Sequence, residues 1–286
     1  MGVEQGNFVG AVITDCADWN ASGRQGVEFQ RLFGVTPTFV GVDSYNGLEA
    51  GGNLVDLLDR LVKAPLADPN QEGVVLVNAA PRDGATKENY DNGTPFCFFW
   101  IGKILVASTF EEQSLALARD MGITDEVQLT DVPTVTAAAK EWGDLTDAQA
   151  DTINNTQFRS LEYLQLLARW LLNGRDVPAE TRSLADLRSP SNSVWLVDIF
   201  GNAKTTLTER DVDFQEGEEV ELDDGEKATC HHRLTDVLDG ETGLTHGSSG
   251  FGPNRFLEIV VGGRGNASER HGLAVGSPVL KDLVAV

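Results

Sequence analysis

The sequence predicts an α/β N-terminal domain with a mostly parallel sheet, followed by a smaller all-β, barrel-like C-terminal domain. Two observations point to the first domain. Apolar runs that end in a polar residue alternate with helical patterns as far as residue 130, and strands alternating with helices make parallel sheets covered on both faces. The 286 residues are also enough for two ordinary domains with a sizeable core. The second domain rests on one observation. After Ser193 the helical patterns give way to short β-rich runs and turns, the pattern of a small barrel.

In order, Asn7 to Thr14 reads as a buried strand ending at Asp15, and Gly23 to Phe33 as a helix with Val27, Leu32 and Phe33 among polar residues. Thr38 to Val42 is a second strand ending at Asp43. Leu48 to Leu61 carries leucines at helical spacing, and Gly73 to Asn78 is a third strand. Phe96 to Ser108 holds one or two more, Thr109 to Met121 is a helix, and Val127 to Thr130 a short strand. Ser160 to Leu172 is the best helix, with a stripe of Leu161, Leu164, Leu167, Ala168 and Leu171 closed by Gly174. Residues 1–175 thus form the first domain, and 176–193, with two prolines and several serines, the linker. The second domain, 194–286, has strands at Val194 to Thr208, Val220 to Leu222, Lys227 to His232, Phe256 to Val261 and Val279 to Val284.

Formal charge is −22 with a pI near 4.4, and only 7 residues are lysine. The acids are spread along the chain, so the charge belongs to the whole surface. Such a surface cannot replace phosphate counterions, which argues against nucleic acid and anionic membranes. It fits a protein adapted to a salty cytoplasm better than an ordinary acidic protein. No signal peptide or long apolar run is present, so a cytoplasmic protein is expected. Cys16, Cys97 and Cys230 are far apart and odd in number, which gives no disulfide framework or zinc spacing. His231 and His232 are adjacent, and adjacent strand residues point to opposite faces. No metal or cofactor is therefore expected.

Ligands of parallel sheets bind beyond the carboxyl ends of the strands. Asp15 and Asp43 lie at two such ends, where each is also readable as a helix cap. The stretch V-W-L-V-D-I-F-G-N-A-K-T-T-L-T, Val194 to Thr208, puts Asp198, Phe200 and Asn202 on one turn. Turn residues on rigid strands often carry function, although Asp and Asn also serve turn geometry alone.

Read with F-L-E-I-V-V-G-G-R-G-N-A-S-E-R-H-G-L-A-V-G-S-P-V, Phe256 to Val279, this stretch resembles the C-terminal domain of the S-adenosylmethionine (SAM) hydroxide adenosyltransferases and the related chlorinases and fluorinases. That family shows D-x-F-G-N, an L-E-I-A-V strand, a G-N-A-A-like loop and a G-D-P-V-like ending. The resemblance implies that Asp198 pairs with the methionine ammonium. Asn202 would bond the adenine edge, Phe200 would stack on adenine, and the Ala267 backbone would complete the contact. Asn254 and Arg255 fall where the halogenases grip the methionine carboxylate. Thr14-Asp15 matches the family's T-D pair, whose Asp binds the ribose hydroxyls, with Asp18 as a rival. The resemblance also implies a homotrimer with each site shared between subunits.

The water-handling residues depart from the family. Asn78 stands where the family has an acid. The F-H-G-R-D histidine is absent near Phe158, and Arg82 or Arg159 is the basic residue that could remain. Three functions follow: an enzyme cleaving SAM to adenosine and methionine, or using halide; a non-catalytic SAM or adenosine binder; and a protein keeping only the fold.

Overall fold

Apolar, β-branched strands make the centre of the first sheet. The computed structural model describes residues 8–43, 46–64, 67–79, 93–281 and 283. Strands β1 (Phe8–Thr14), β2 (Thr38–Gly41), β3 (Glu72–Asn78), β4 (Phe96–Ile101), β5 (Ile104–Thr109), β6 (Glu126–Thr130) and β7 (Glu180–Ser183) lie in the order β2-β1-β3-β5-β4-β6-β7. The four strands β2, β1, β3 and β5 are parallel, and Val12 sits between Phe39 and Leu76. Strands β4, β6 and β7 extend the sheet antiparallel.

Alternate side chains enter two cores. Ile13, Val75, Val77 and Val106 pack under helices α2 (Gly47–Leu58) and α3 (Glu112–Asp120). Val12, Val74, Leu76 and Leu105 pack under α1 (Trp19–Phe33), α4 (Val132–Glu141), α5 (Asp147–Asn155) and α6 (Gln165–Leu172). Helix α2 needs glycines to sit where it does. A Cβ at Gly51 would lie 2.8 Å from the Ser114 Cα, and one at Gly52 would lie 2.2 Å from the Trp195 ring.

The expected linker is partly structured. Glu180–Ser183 pairs with β6 as the outer strand of the first sheet, and Thr181 and Gln128 exchange side-chain hydrogen bonds across the pair. Ser160 to Leu172 is helical, but its first five residues form a π-helical turn. Helices α4 and α5 were not expected. Asp131 caps the first, with Pro133 in its opening turn, and the second has a Thr146–Gln149 capping box.

The second sheet comprises β8 (Val194–Val197), β9 (Ala203–Thr205), β10 (Glu219–Glu221), β11 (Lys227–His231), β12 (Thr242–Phe251) and β13 (Asn254–Val261), in the order β10-β11-β12-β13-β9-β8. Its pairings are antiparallel except β11 with β12. Strand β12 was not expected; it is Gly- and Ser-rich, with an irregularity between His246 and Gly250. The expected strand Val279 to Val284 is instead a short bridging segment as far as it is described. Pro278 bridges to Ser193 beside β8, and Leu280 to Leu222 beside β10, so the segment joins the two edges of the sheet. Asn192, in the left-handed region at φ 57°, fixes this closure. Its amide donates to the Leu280 carbonyl at 2.7 Å, and its Oδ1 accepts from Leu280 N at 2.7 Å. A short helix α7 (Ala267–His271) follows β13.

The domains meet along α2. Asp56 accepts from Gly250 N at 2.9 Å, and Asp59 from Gly252 N at 2.7 Å. No helix among the described residues is long and apolar enough to cross a membrane.

Candidate functional site

Three groups of expected residues occupy distinct places. The first is the carboxyl edge of the first sheet. Strands β1 and β3 are in register there, and Asp15 N donates to the Asn78 carbonyl at 3.0 Å. The buried Asn78 amide donates at 3.3 Å to both Asp15 Oδ1 and Thr14 Oγ1. Asn78 thus braces Asp15. Asp18 is the N-cap of α1, accepting from Asn20 N at 2.9 Å and Ala21 N at 3.1 Å. That commits the rival and leaves Asp15 half-exposed at the strand end. Asp43 does not cap α2; Asn46 does, accepting from Glu49 N at 3.0 Å.

Arg159 reaches the same edge beside the first residue of β4. It donates to the Thr94 carbonyl at 2.8 Å and lies over the Phe96 ring at 5.2 Å. Burial pulls its pKa below the usual arginine value. Arg82 lies outside the described residues. Sequence reading missed Glu111, a buried acid at this edge that caps α3 through Ser114 N at 2.7 Å. Burial pushes its carboxyl up, against the lowering effect of the Ser114 and Gln113 amides.

The second group is the turn at 198–202. Asp198 Oδ1 accepts from Phe200 N at 2.8 Å and Asn202 N at 3.0 Å, and its Oδ2 accepts from the Asn202 amide at 3.0 Å. Asp198 therefore organises the turn from within. Gly201 is required here: its φ is +82°, and a Cβ would lie 2.1 Å from the Asn266 side chain. Gly201 O accepts from Ser268 N at 2.9 Å, which seats the turn on the start of α7. The Ala267 N–H, first in that helix, has no intrahelical acceptor. The turn thus lies against the start of α7, while Phe200 stands 71% exposed and Ile199 94%.

Asn254 and Arg255 form the third group. They line a groove of about 280 Å³ with Thr208, Glu209, Arg210 and His246. The Arg255 guanidinium is engaged by the buried Asp59, at 3.0 and 3.4 Å, so within one chain it holds the domains together. Nearby, Lys204 donates to Ser249 at 2.6 Å and lies 4.0 Å from Glu258. Burial pushes Glu258 up, Lys204 offsets part of that, and Asp198 and Asp56 add to the rise. Asp56 is also raised, by burial first, against hydrogen bonds from Gly250 and Ser249. Among the described residues, no hydrogen bond or ion pair joins Asp15 to the 198–202 turn.

Residues 192–280 match the SAM hydroxide adenosyltransferase C-terminal domain. No curated protein matches the chain. Two crystal structures share the fold. One is an uncharacterized conserved protein from Thermotoga maritima (TM-score 0.63, 16% identity, covering 94% of this chain and 98% of that one). The other is a conserved hypothetical protein from Thermus thermophilus (TM-score 0.59, 19% identity, covering 95% and 99%). The class is an α/β domain joined to a mainly antiparallel β domain. Within it, residues 192–280 are similar to the SAM hydroxide adenosyltransferase C-terminal domain, and the two solved structures share the fold of the whole chain.

Proposed function

We propose that this protein binds SAM and cleaves it with water, giving adenosine and L-methionine. The observation that carries the reading is the 198–202 turn seated on the start of α7, inside the region that matches the SAM hydroxide adenosyltransferase domain. An exposed aromatic face and a carboxamide share that turn, and the start of α7 lies against it, which suits a purine. Asp15 is the acceptor for a ribose diol.

In the proposed step the water oxygen attacks the 5′-carbon in line as the carbon–sulfur bond breaks. The sulfonium electrons leave with methionine as a neutral thioether, and the water proton passes to solvent. A neutral leaving group needs no acid. Alignment and desolvation then supply the rate, and they do not require a histidine. Asn78 and Arg159 are engaged by Asp15 and Thr94, which supports slow turnover and leaves a non-catalytic SAM binder as the second reading.

The expected outcome is adenosine formation well below an ordinary enzyme's rate, followed by chromatography for adenosine, 5′-chloroadenosine and methionine, with Asp15→Ala as control. SAM binding with no product above the control after a day would favour the binder. Chloride-dependent 5′-chloroadenosine would move the assignment to halide transfer.

The reading also requires the Asp15 edge of one subunit to meet the turn of the next. A homotrimer is expected in molar salt, weakening at low salt as acidic faces repel. Light scattering that finds only monomer in high salt would remove the shared site.

A further inference from the structure

Three donors far apart in sequence meet beside the Arg255 groove: Glu209 from the loop after β9, His232 from the residue just past β11 and His246 from β12. One ligand atom from each lies within 4.8 Å of the others. We propose that they form a three-ligand site for a zinc-class divalent cation, with the fourth position open to the groove.

The adjacent histidines differ in their partners although both lie near Glu216. His231 is held by Glu216 at 3.2 Å and Glu241 at 3.1 Å. His232 lies beside His246, with its Nε2 3.9 Å from Glu216 Oε2 and its backbone N–H donating to Glu216 at 2.7 Å. The ring spacing fits a metal. A cation about 2.05 Å from a ring nitrogen lies about 3.2 Å from that ring's centroid, so two imidazoles at a tetrahedral angle have centroids about 5.2 Å apart. The His232 and His246 centroids are 5.2 Å apart, with the planes inclined by 29°.

His246 Nε2 is buried and lies 2.7 Å from Glu209 Oε1, so the imidazole and the carboxylate are already drawn together. Phe214 stacks on His246 at 4.6 Å and walls one side. Two imidazoles and a carboxylate suit zinc and other borderline cations, and three protein ligands leave a place for water or an incoming anion. The proposal is independent of the SAM reading, because the metal alone reads it out.

The test uses the full chain stripped by chelator. Zn²⁺ and Co²⁺ are titrated by calorimetry, and cobalt also by visible absorption. One Zn²⁺ per chain is expected, with a four-coordinate cobalt spectrum and a higher melting temperature. His246→Ala or His232→Ala should each weaken binding at least a hundredfold, Glu209→Gln about tenfold, and His231→Gln should leave it unchanged. Should the variants fold poorly, diethyl pyrocarbonate labelling of the wild type decides: Zn²⁺ should protect His232 and His246 but not His231. Absence of binding at millimolar Zn²⁺, unchanged affinity in His246→Ala, or equal labelling with and without Zn²⁺ would overturn the site.

Discussion

The two halves of the candidate SAM site use the same chemical pair in different ways. At the edge of the first sheet, Asn78 donates to Asp15 at 3.3 Å across two strands. In the second domain, Asn202 donates to Asp198 at 3.0 Å within one turn. Asp198 also accepts two backbone N–H groups, so its carboxylate shapes the loop that holds it. Asp15 accepts from no backbone amide among the described hydrogen bonds and keeps acceptor capacity for a ligand. A carboxylate in a binding motif can thus serve as scaffold or as contact, and the donors around it separate the two roles.

The largest expected effect tests that difference at Asp15. Asp15→Ala should lower SAM affinity about a hundredfold, roughly 2.7 kcal/mol, with little change in melting temperature. Asn78→Ala should cost only about fivefold, because it loosens a brace worth about 1 kcal/mol. Calorimetry that reverses this order would make Asn78 the contact and Asp15 the support.

Asp198 should behave in the opposite way. Asp198→Ala leaves three donors without their acceptor and should cost about 1–3 kcal/mol of stability, seen in denaturant unfolding without ligand. Asp198→Asn is the finer probe. If the carboxylate also meets the methionine ammonium, SAM should weaken about tenfold more than adenosine. Equal losses for both ligands would leave Asp198 a scaffold only.

The smallest effect concerns Glu258, next to this turn. Its carboxyl is raised by burial, so the folded protein takes up that proton at higher pH than the unfolded chain does. Its contribution to stability therefore grows as pH falls through the raised value towards about 4.3, the unfolded value. Melting temperatures of the wild type and Glu258→Gln at neutral pH and near pH 5 should differ, with the wild type gaining on the variant in acid. A gap that does not move with pH would deny Glu258 that role.

The central strands of the first sheet were legible because buried β-branched runs such as Gly73 to Asn78 announce themselves, whereas the exposed outer strand Glu180–Ser183 was read as linker. The 198–202 turn was legible because its residues are neighbours in sequence. Helices α4 and α5 were missed although Asp131 and Thr146 cap them, since neither has a long apolar stripe. Strand β12 was hidden by its glycines and serines. The engagement of Arg255 by Asp59 spans 196 positions, and the Glu209–His232–His246 cluster spans three separate segments. Neither has a local signal, because only the tertiary fold makes these residues neighbours.

The Asn192 clasp has a consequence for how the second domain could be rewired. One side chain ties the start of that domain to Leu280 and, at 3.1 Å, to the Leu283 carbonyl. Entry and exit of the β domain therefore lie side by side. A short peptide could join them and new ends could be cut in an exposed turn such as that at Gly225, a circular permutation that domains with adjacent ends tolerate. The β domain is thus wired like an insertable cassette.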